Sequence, residues 1–389
     1  MSQSSRALPI FPLFQSGGAS NYRIPGVVVT PRGTIVAFCN DRRGDIDDDS
    51  PEHWVCCRRC EEGKAPDETL VIYRRKDWNC MLGAAFFDKQ TDTILCLFER
   101  RPNSPQALAQ YEALPEDERP AIGFCIAQST DDGRTFTVRA VDIAPNADGL
   151  CGSTHGSAAG IQLRHGAHAG RLIAAGRYRM EEGDPRIRTD IGNYLQCAHW
   201  NCSVYSDDHG LTWRTGGRVQ TGTGEGALME LGDGKIALNS RAYFNDGRRR
   251  VAWSEDGGET FHHFQLANDL TEIAGGVNAS MIAVRLSDES EICVYASVNN
   301  RKQQLIDRDF SWQNPRRNVS AWVSFDGGVT WPLVRTLYAG PSAYNSLVYD
   351  EERKRFVLLL EYGLEGETCY QQGIGLAVFG PEWLLDEDG

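Results

Sequence analysis

Along the chain, apolar residues fall in short runs or alternate with polar ones, and Gly, Asp and Asn break each run before it lengthens. Gly26-Val27-Val28-Val29, Thr34-Ile35-Val36-Ala37-Phe38, Arg171-Leu172-Ile173-Ala174-Ala175 and Arg355-Phe356-Val357-Leu358-Leu359-Leu360 are of this kind. Such segments between turn residues predict a strand-rich, all-β chain. One stretch departs from the pattern. Ser104-Pro105 reads as a capping pair, and Leu108, Tyr111 and Leu114 follow at helical spacing before Pro115. Lying between two strand-like runs, this helix is expected as a loop insertion near 103–120, not as a domain. Nothing else resembles a linker, so residues 1–389 are expected to form a single domain.

An internal repeat organises the strands. It occurs as Ser129-Thr130-Asp131-Asp132-Gly133-Arg134-Thr135-Phe136, Ser206-Asp207-Asp208-His209-Gly210-Leu211-Thr212-Trp213, Ser254-Glu255-Asp256-Gly257-Gly258-Glu259-Thr260-Phe261 and Ser324-Phe325-Asp326-Gly327-Gly328-Val329-Thr330-Trp331. Each copy follows a strand and has the chemistry of a hairpin turn. Ser and Asp oxygens accept from turn N–H groups, and Gly supplies a positive φ. Repetition at this spacing suggests four-stranded blades. The repeat resembles the Asp box of the sialidases and related propellers, where its role is structural. That resemblance implies a six-bladed, sialidase-like β-propeller. Arg58 to Asp77 carries no box where the first blade is expected.

Composition narrows the functions open to such a fold. The net charge of −13 argues against nucleic acid or an anionic membrane as the main partner. No apolar run approaches the roughly 18 residues of a membrane span. The N-terminus lacks the apolar core and cleavage site of a signal peptide, so the protein is expected to be intracellular, or secreted with its leader trimmed. Several of the 12 cysteines sit within strand-like runs and read as buried thiols. Cys56-Cys57-Arg58-Arg59-Cys60 holds one CxxC, with no second at ribbon spacing, so no metal site is expected.

Asp boxes also occur in propellers without enzymatic activity, so function must come from other residues. Tyr22-Arg23-Ile24-Pro25 is similar to the sialidase Y/F-R-I-P motif, and Leu238-Asn239-Ser240-Arg241 to its L-N-x-R strand. Arg316-Arg317-Asn318-Val319 stands where the family carries a further arginine. These nominate Arg23, Arg241 and Arg317, with Arg316 as the alternative to Arg317. A planar guanidinium binds a carboxylate through paired, charge-assisted hydrogen bonds, and several converging on one carboxylate orient it more firmly than lysines could. Gly340-Pro341-Ser342-Ala343-Tyr344-Asn345-Ser346 resembles the family segment bearing a nucleophilic tyrosine, here Tyr344, to be paired with Glu225 of Gly222-Thr223-Gly224-Glu225-Gly226. In the acidic loop Asn40 to Asp49, the resemblance nominates Asp47 as acid/base, with Asp45, Asp48 and Asp49 in the same loop. Arg42 would be an additional pocket arginine, and Tyr178 falls where some members line the glycerol side of the sugar.

The resemblance implies a retaining exo-glycosidase that removes terminal α-linked sialic acid from glycans through a tyrosine nucleophile, with no cofactor. The chemistry is reasonable. The anomeric carbon carries a carboxylate, so a neutral phenol approaches without the repulsion an Asp or Glu would meet. Because a free phenol has a pKa of about 10, it needs a base. Other 2-keto acid sugars such as Kdn or Kdo, or transfer in place of hydrolysis, fit the same arginine set. A non-catalytic propeller that only binds is the reading from another class, and the pairing of Tyr344 with Glu225 argues against it.

Overall fold

The structure, a computed structural model, describes residues 7–46, 50–157, 159–187, 190, 197–244, 246–300 and 316–386. Strands β1 (Phe11–Gln15), β2 (Ser20–Val29), β3 (Ile35–Arg43), β4 (Glu52–Cys60) and β5 (Leu70–Tyr73) come first. They are followed by β6 (Trp78–Asp88), β7 (Thr93–Pro102), helix α1 (Pro105–Glu112), β8 (Gly123–Ser129) and β9 (Thr137–Ala140). The middle of the chain carries β10 (Ile143–Ala144), β11 (Ile161–Gln162), β12 (Leu172–Arg179), β13 (His199–Ser206) and β14 (Trp213–Thr215). Next come β15 (Thr223–Glu230), β16 (Ile236–Ala242), β17 (Arg248–Ser254) and β18 (His262–Thr271). The last elements are β19 (Ser280–Arg285), β20 (Glu291–Val298), β21 (Arg317–Ser324), β22 (Leu333–Asp350), β23 (Arg355–Tyr362), β24 (Gly373–Phe379) and helix α2 (Pro381–Leu385). The fold is all-β. No helix among the described residues is long and apolar enough to cross a membrane.

Among the described residues, hydrogen bonds gather the strands into four sheets. One has eight strands and consists of two antiparallel runs, β2-β3-β4-β5 and β6-β7-β8-β9, joined where His53 lies beside Asn79 in a parallel contact. Another has seven strands and is also double. Its β22 pairs with β21 through its first half and with β23 through its second, ending one run (β19-β20-β21-β22) and opening the next (β22-β23-β24-β1). The others are β11 to β14, with β10 added in parallel at the edge, and β15 to β18. The opening strands of successive runs pack on one another: β2 on β6, β6 on β11 and β12, β12 on β15, β15 on β19, β19 on β22, and β22 back on β2.

This stacking explains a departure from simple alternation. β23 is buried from Phe356 to Tyr362 and β15 along its whole length, because both faces of these strands are covered by neighbouring sheets. Only an outer strand such as β18 is exposed over most of its length. The predicted helix is present as α1. Ser104 Oγ accepts from Ala107 N at 3.2 Å, Pro105 opens the first turn, and Tyr111 packs edge-on against Trp78.

The repeated turns form one hydrogen-bond pattern. Ser129 Oγ donates to Asp131 Oδ1 at 2.8 Å and accepts from Gly133 N at 2.9 Å, while Asp131 accepts from the Thr135 N–H and hydroxyl at 2.9 and 2.6 Å. The turns at Asp208, Asp256 and Asp326 repeat these bonds. All four link the third strand of a run to its fourth. The β4–β5 turn, which has no box, uses Arg59 instead: Nη1 pairs with Asp67 at 2.6 Å and Nε donates to the Asp132 carbonyl in the next run at 2.7 Å.

Each box glycine also seats on the run before its own. Gly133, Gly210, Gly258 and Gly328 have φ of 80, 83, 86 and 86°. Their Cα atoms abut Val36, Leu95, Ile173 and Met229, respectively. A Cβ on Gly258 would stand 2.2 Å from Ile173 Cδ1. Gly258→Ala is therefore expected to cost about 3 kcal/mol, from the left-handed backbone and the displaced side chain together. Urea unfolding checks this, and a loss below about 0.5 kcal/mol would refute the seating.

Candidate active site

Bulges interrupt the opening strands β2, β6, β15 and β22, and Arg23, Glu225 and Tyr344 sit in or beside three of them. Register shifts between Arg23 and Gly26 in β2, between Thr223 and Gly226 in β15, and between Ser342 and Asn345 in β22. A bulge re-aims a side chain that regular alternation would direct elsewhere. In β2 the cause is legible, because Pro25 cannot donate to a ladder. Ile24 takes a φ of 59°, a strained value for a β-branched residue. Glu361 of β23 supports it: Oε1 accepts from Ile24 N at 2.8 Å and from Arg23 Nε at 2.7 Å, and Oε2 accepts from Tyr344 N at 3.0 Å. One buried carboxylate thus ties the first arginine to the tyrosine segment.

The centre is Glu225. Its Oε1 accepts from the Tyr344 hydroxyl at 2.6 Å and its Oε2 from Arg241 Nη1 at 2.6 Å. Arg241 Nη1 also donates to the Tyr344 oxygen at 3.0 Å, while Nε and Nη2 are anchored on the Gly275 carbonyl at 3.1 and 2.8 Å. The Arg23 guanidinium lies 5.6 Å from the Tyr344 ring centroid and 4.0 Å from that of Tyr370. Arg316 lies 5.4 Å from the Tyr344 ring. Arg177 Nη1 stands 3.5 Å from Glu225 Oε1.

Burial disfavours the charged form of Glu225, but Arg241, Arg177 and the Tyr344 hydrogen bond outweigh it and hold the carboxyl at about 2. Tyr344 moves the other way. Burial and the adjacent Glu225 raise its phenol above the ordinary range, against the pull of Arg241 and Arg316. The resting pair is therefore carboxylate and neutral phenol, joined by a short hydrogen bond that the phenol donates. Glu225 and Glu361 lie among Arg23, Arg177, Arg241 and Arg316, so the cations around Tyr344 outnumber these carboxylates, in a chain whose net charge is −13. Such a desolvated excess of guanidinium suits an anion.

Of the residues nominated by sequence, Arg23, Arg241, Glu225 and Tyr344 are brought together. Arg317 is not among them. It pairs at 2.9 Å with Glu365, with 39% of its side chain exposed, whereas Arg316 faces Tyr344. Consecutive residues at a strand edge point to opposite sides, so only one of the pair can reach the site. Tyr178, named for the glycerol side of the sugar, lies apart from the Glu225 cluster. Its hydroxyl is 3.5 Å from Asp148 and its ring packs with Met180 and Cys202, while Arg177 takes the inward place. Arg42 is buried on β3 with Nη1 donating to the Ile46 carbonyl at 2.8 Å. Asp47, with Asp48 and Asp49, lies outside the described residues. Cys56, Cys57 and Cys60 are buried thiols within β4, and burial raises each of them. A cavity of about 630 Å³ at the opposite ends of β2, β15, β19 and β22, lined by Val29, Met229, Met281 and Tyr349 among others, contains none of the nominated residues.

Sequence reasoning missed Glu361, Arg177 and Tyr370. Glu361 did leave a signal: it closes the apolar run Phe356 to Leu360, and a charge that ends a buried strand needs a partner.

Residues 49–357 match the family described as the BNR repeat-like domain. The chain is 30% identical over 375 residues to a sialidase of Micromonospora viridifaciens, covering 94% of this chain and 52% of that protein. It is 28% identical to sialidase-4 of Mus musculus over 67% of this chain and 54% of the relative. It thus spans about half the length of each. Among solved structures, a Hadza microbial sialidase aligns with a TM-score of 0.70 at 22% identity, over 94% of this chain and 66% of the other. An intramolecular trans-sialidase of Ruminococcus gnavus aligns with a TM-score of 0.70 at 14% identity, over 95% and 97%. These structures share the fold.

Proposed function

The chain belongs to the sialidase family of BNR-repeat proteins, and from that premise we propose that it is a retaining exo-sialidase, releasing terminal α-linked sialic acid from glycans. One observation carries the reading. The Tyr344 hydroxyl lies 2.6 Å from a buried carboxylate and 3.0 Å from Arg241, with Arg23 and Arg316 flanking its ring. A phenol so placed has a base in contact and an anion-binding surface around it, which suits a sugar whose anomeric carbon bears a carboxylate.

In this reading the substrate carboxylate docks on Arg23, Arg241 and Arg316. Its negative charge offsets the guanidiniums that depress Glu225, so binding makes Glu225 more basic at the moment it must act. Glu225 takes the phenolic proton as Tyr344 attacks the anomeric carbon, and the glycosidic bond breaks as an aspartic acid, Asp47 by motif, protonates the leaving oxygen. Water activated by that aspartate then releases the sugar with net retention.

The architecture proposed for the catalytic unit is a six-bladed propeller. In support, the strands divide into four-stranded runs whose opening strands pack in a circuit from β2 back to β2, and β1 completes the run of β22, β23 and β24. Helix α1 is a loop insertion in the second blade. Fluorogenic glycosides of Neu5Ac, Kdn and Kdo, assayed side by side, test the substrate. Neu5Ac should be turned over fastest; turnover of Kdo alone, or of none, would overturn the assignment.

A further inference from the structure

Arg177 belongs to none of the motifs that point to this site, yet it reaches the centre. It lies on β12, which packs on β15, and its backbone is bolted to Ser153 by N–H···O bonds of 2.7 Å in both directions. Its Nη1 stands 3.5 Å from Glu225 Oε1 and 3.4 Å from the Tyr243 hydroxyl, with 24% of the side chain exposed. We propose that Arg177 is a positioning residue of the reaction, clamping Glu225 between two guanidiniums so that Oε1 faces the Tyr344 hydroxyl. This rests on the sialidase reading of the site.

With one guanidinium, on Oε2, the carboxylate could pivot about that bond and lose Tyr344. A second cation on Oε1 removes the freedom. It also answers an electrostatic difficulty. Substrate brings a like charge beside Glu225, and two carboxylates sharing a site drive one of them to take a proton. A protonated Glu225 could not accept from Tyr344. The groups acting on Glu225 account for its charge state: Arg241 from β16, Arg177 from β12 and Tyr344 from β22, while Tyr243 just beyond Arg241 bonds Arg177, and Gly156 in the loop before β11, next to His155, closes on the carboxylate. His155 is turned to the Leu82 carbonyl, with Nδ1 at 3.1 Å. Farther out, buried Glu99 on β7 faces Arg177, and Arg316 and Arg23 flank Tyr344. Arg241 and Arg177 are thus the cations that act on Glu225 most directly.

The test follows the Glu225 carboxyl carbon by NMR in protein carrying ¹³C-labelled glutamate, with the signal assigned by Glu225→Gln, alongside pH profiles of kcat. In Arg177→Gln the Glu225 titration should rise by about one pH unit, and the acid limb of kcat should move the same way. Arg177→Lys, which keeps the charge, should stay within about 0.3 unit of the unaltered protein while kcat falls, because a lysine cannot span both Glu225 and Tyr243. An unmoved titration in Arg177→Gln would overturn the clamp. So would a rise in KM with an unchanged pH profile, which is the signature of direct substrate contact. If the titration moves but the unaltered protein hydrolyses no sialoside, the clamp stands and the reaction assigned to it falls.

Discussion

Treated with a 2,3-difluoro sialic acid, the protein should lose activity slowly and carry the sugar on Tyr344. Fluorine at C3 destabilises the electron-poor transition state of both steps, and fluoride at C2 leaves readily, so the covalent intermediate accumulates. The phenol is the group placed to form it. A carboxylate nucleophile would approach an anomeric centre that already bears a carboxylate, and in a poorly solvated pocket that repulsion is a sizeable part of the barrier. In the proposed mechanism Tyr344 avoids it, with Glu225 at 2.6 Å to take the proton as the bond forms. Tyr344→Phe should abolish labelling and lower kcat by about 10²- to 10⁴-fold. Digestion and mass spectrometry locate the adduct. Finding it on Glu225 would exchange the roles of the two residues.

Truncation of Arg241 should be almost as damaging. Arg241→Ala removes the guanidinium that bonds both Glu225 and Tyr344, and it takes away the larger of the two cationic influences on Glu225. The expected loss in kcat/KM is about 10²- to 10³-fold, or roughly 3–4 kcal/mol, the range for breaking a buried, hydrogen-bonded charge pair. Part of that loss comes from Glu225 itself. With one cation gone, its carboxyl titrates at a higher pH, so activity on the acid side should fall further than at neutrality. Steady-state kinetics on a fluorogenic sialoside from acid to neutral pH would decide this; a drop below tenfold means the carboxylate is held elsewhere.

The parts of this site that could be read in the sequence are those whose chemistry is local. The box turns satisfy their own hydrogen bonds within eight residues, so their spelling survives in the chain, and Pro25 announces a break in β2 before any fold is known. Arg23, Arg241, Glu225 and Tyr344 were found because each stands in a short segment whose spelling resembles a sialidase motif, although the partners of Arg23 and Tyr344 are distant in the chain. Long-range partners leave little trace. Glu361 lies 338 positions from Arg23, and nothing near either residue names the other. The choice between Arg316 and Arg317, and between Arg177 and Tyr178, depends on which face of a strand meets the site. That is set by packing and by bulges, and a shift of one residue reverses it. Burial on both faces of β15 and β23 arises in the same way, from sheets stacked by the whole fold and not by the segment itself.

The seating of the box glycines gives the molecule a direction. Gly133, Gly210, Gly258 and Gly328 each make their nearest contact with a side chain of the run before their own. During synthesis every such turn therefore emerges to find its landing surface already made, and the sheets can be laid down one upon another as the ribosome advances. Only the seam is different. β1 leaves the ribosome before the other described strands but pairs with β24, Phe11 opposite Leu376, so it must wait for a strand much later in the chain. Assembly by accretion thus ends in long-range closure, β1 on β24 and β2 on β22 and β23. The slowest folding event, and the first to reverse under denaturant, should lie at this seam, where Arg23 of β2 also meets Glu361 of β23.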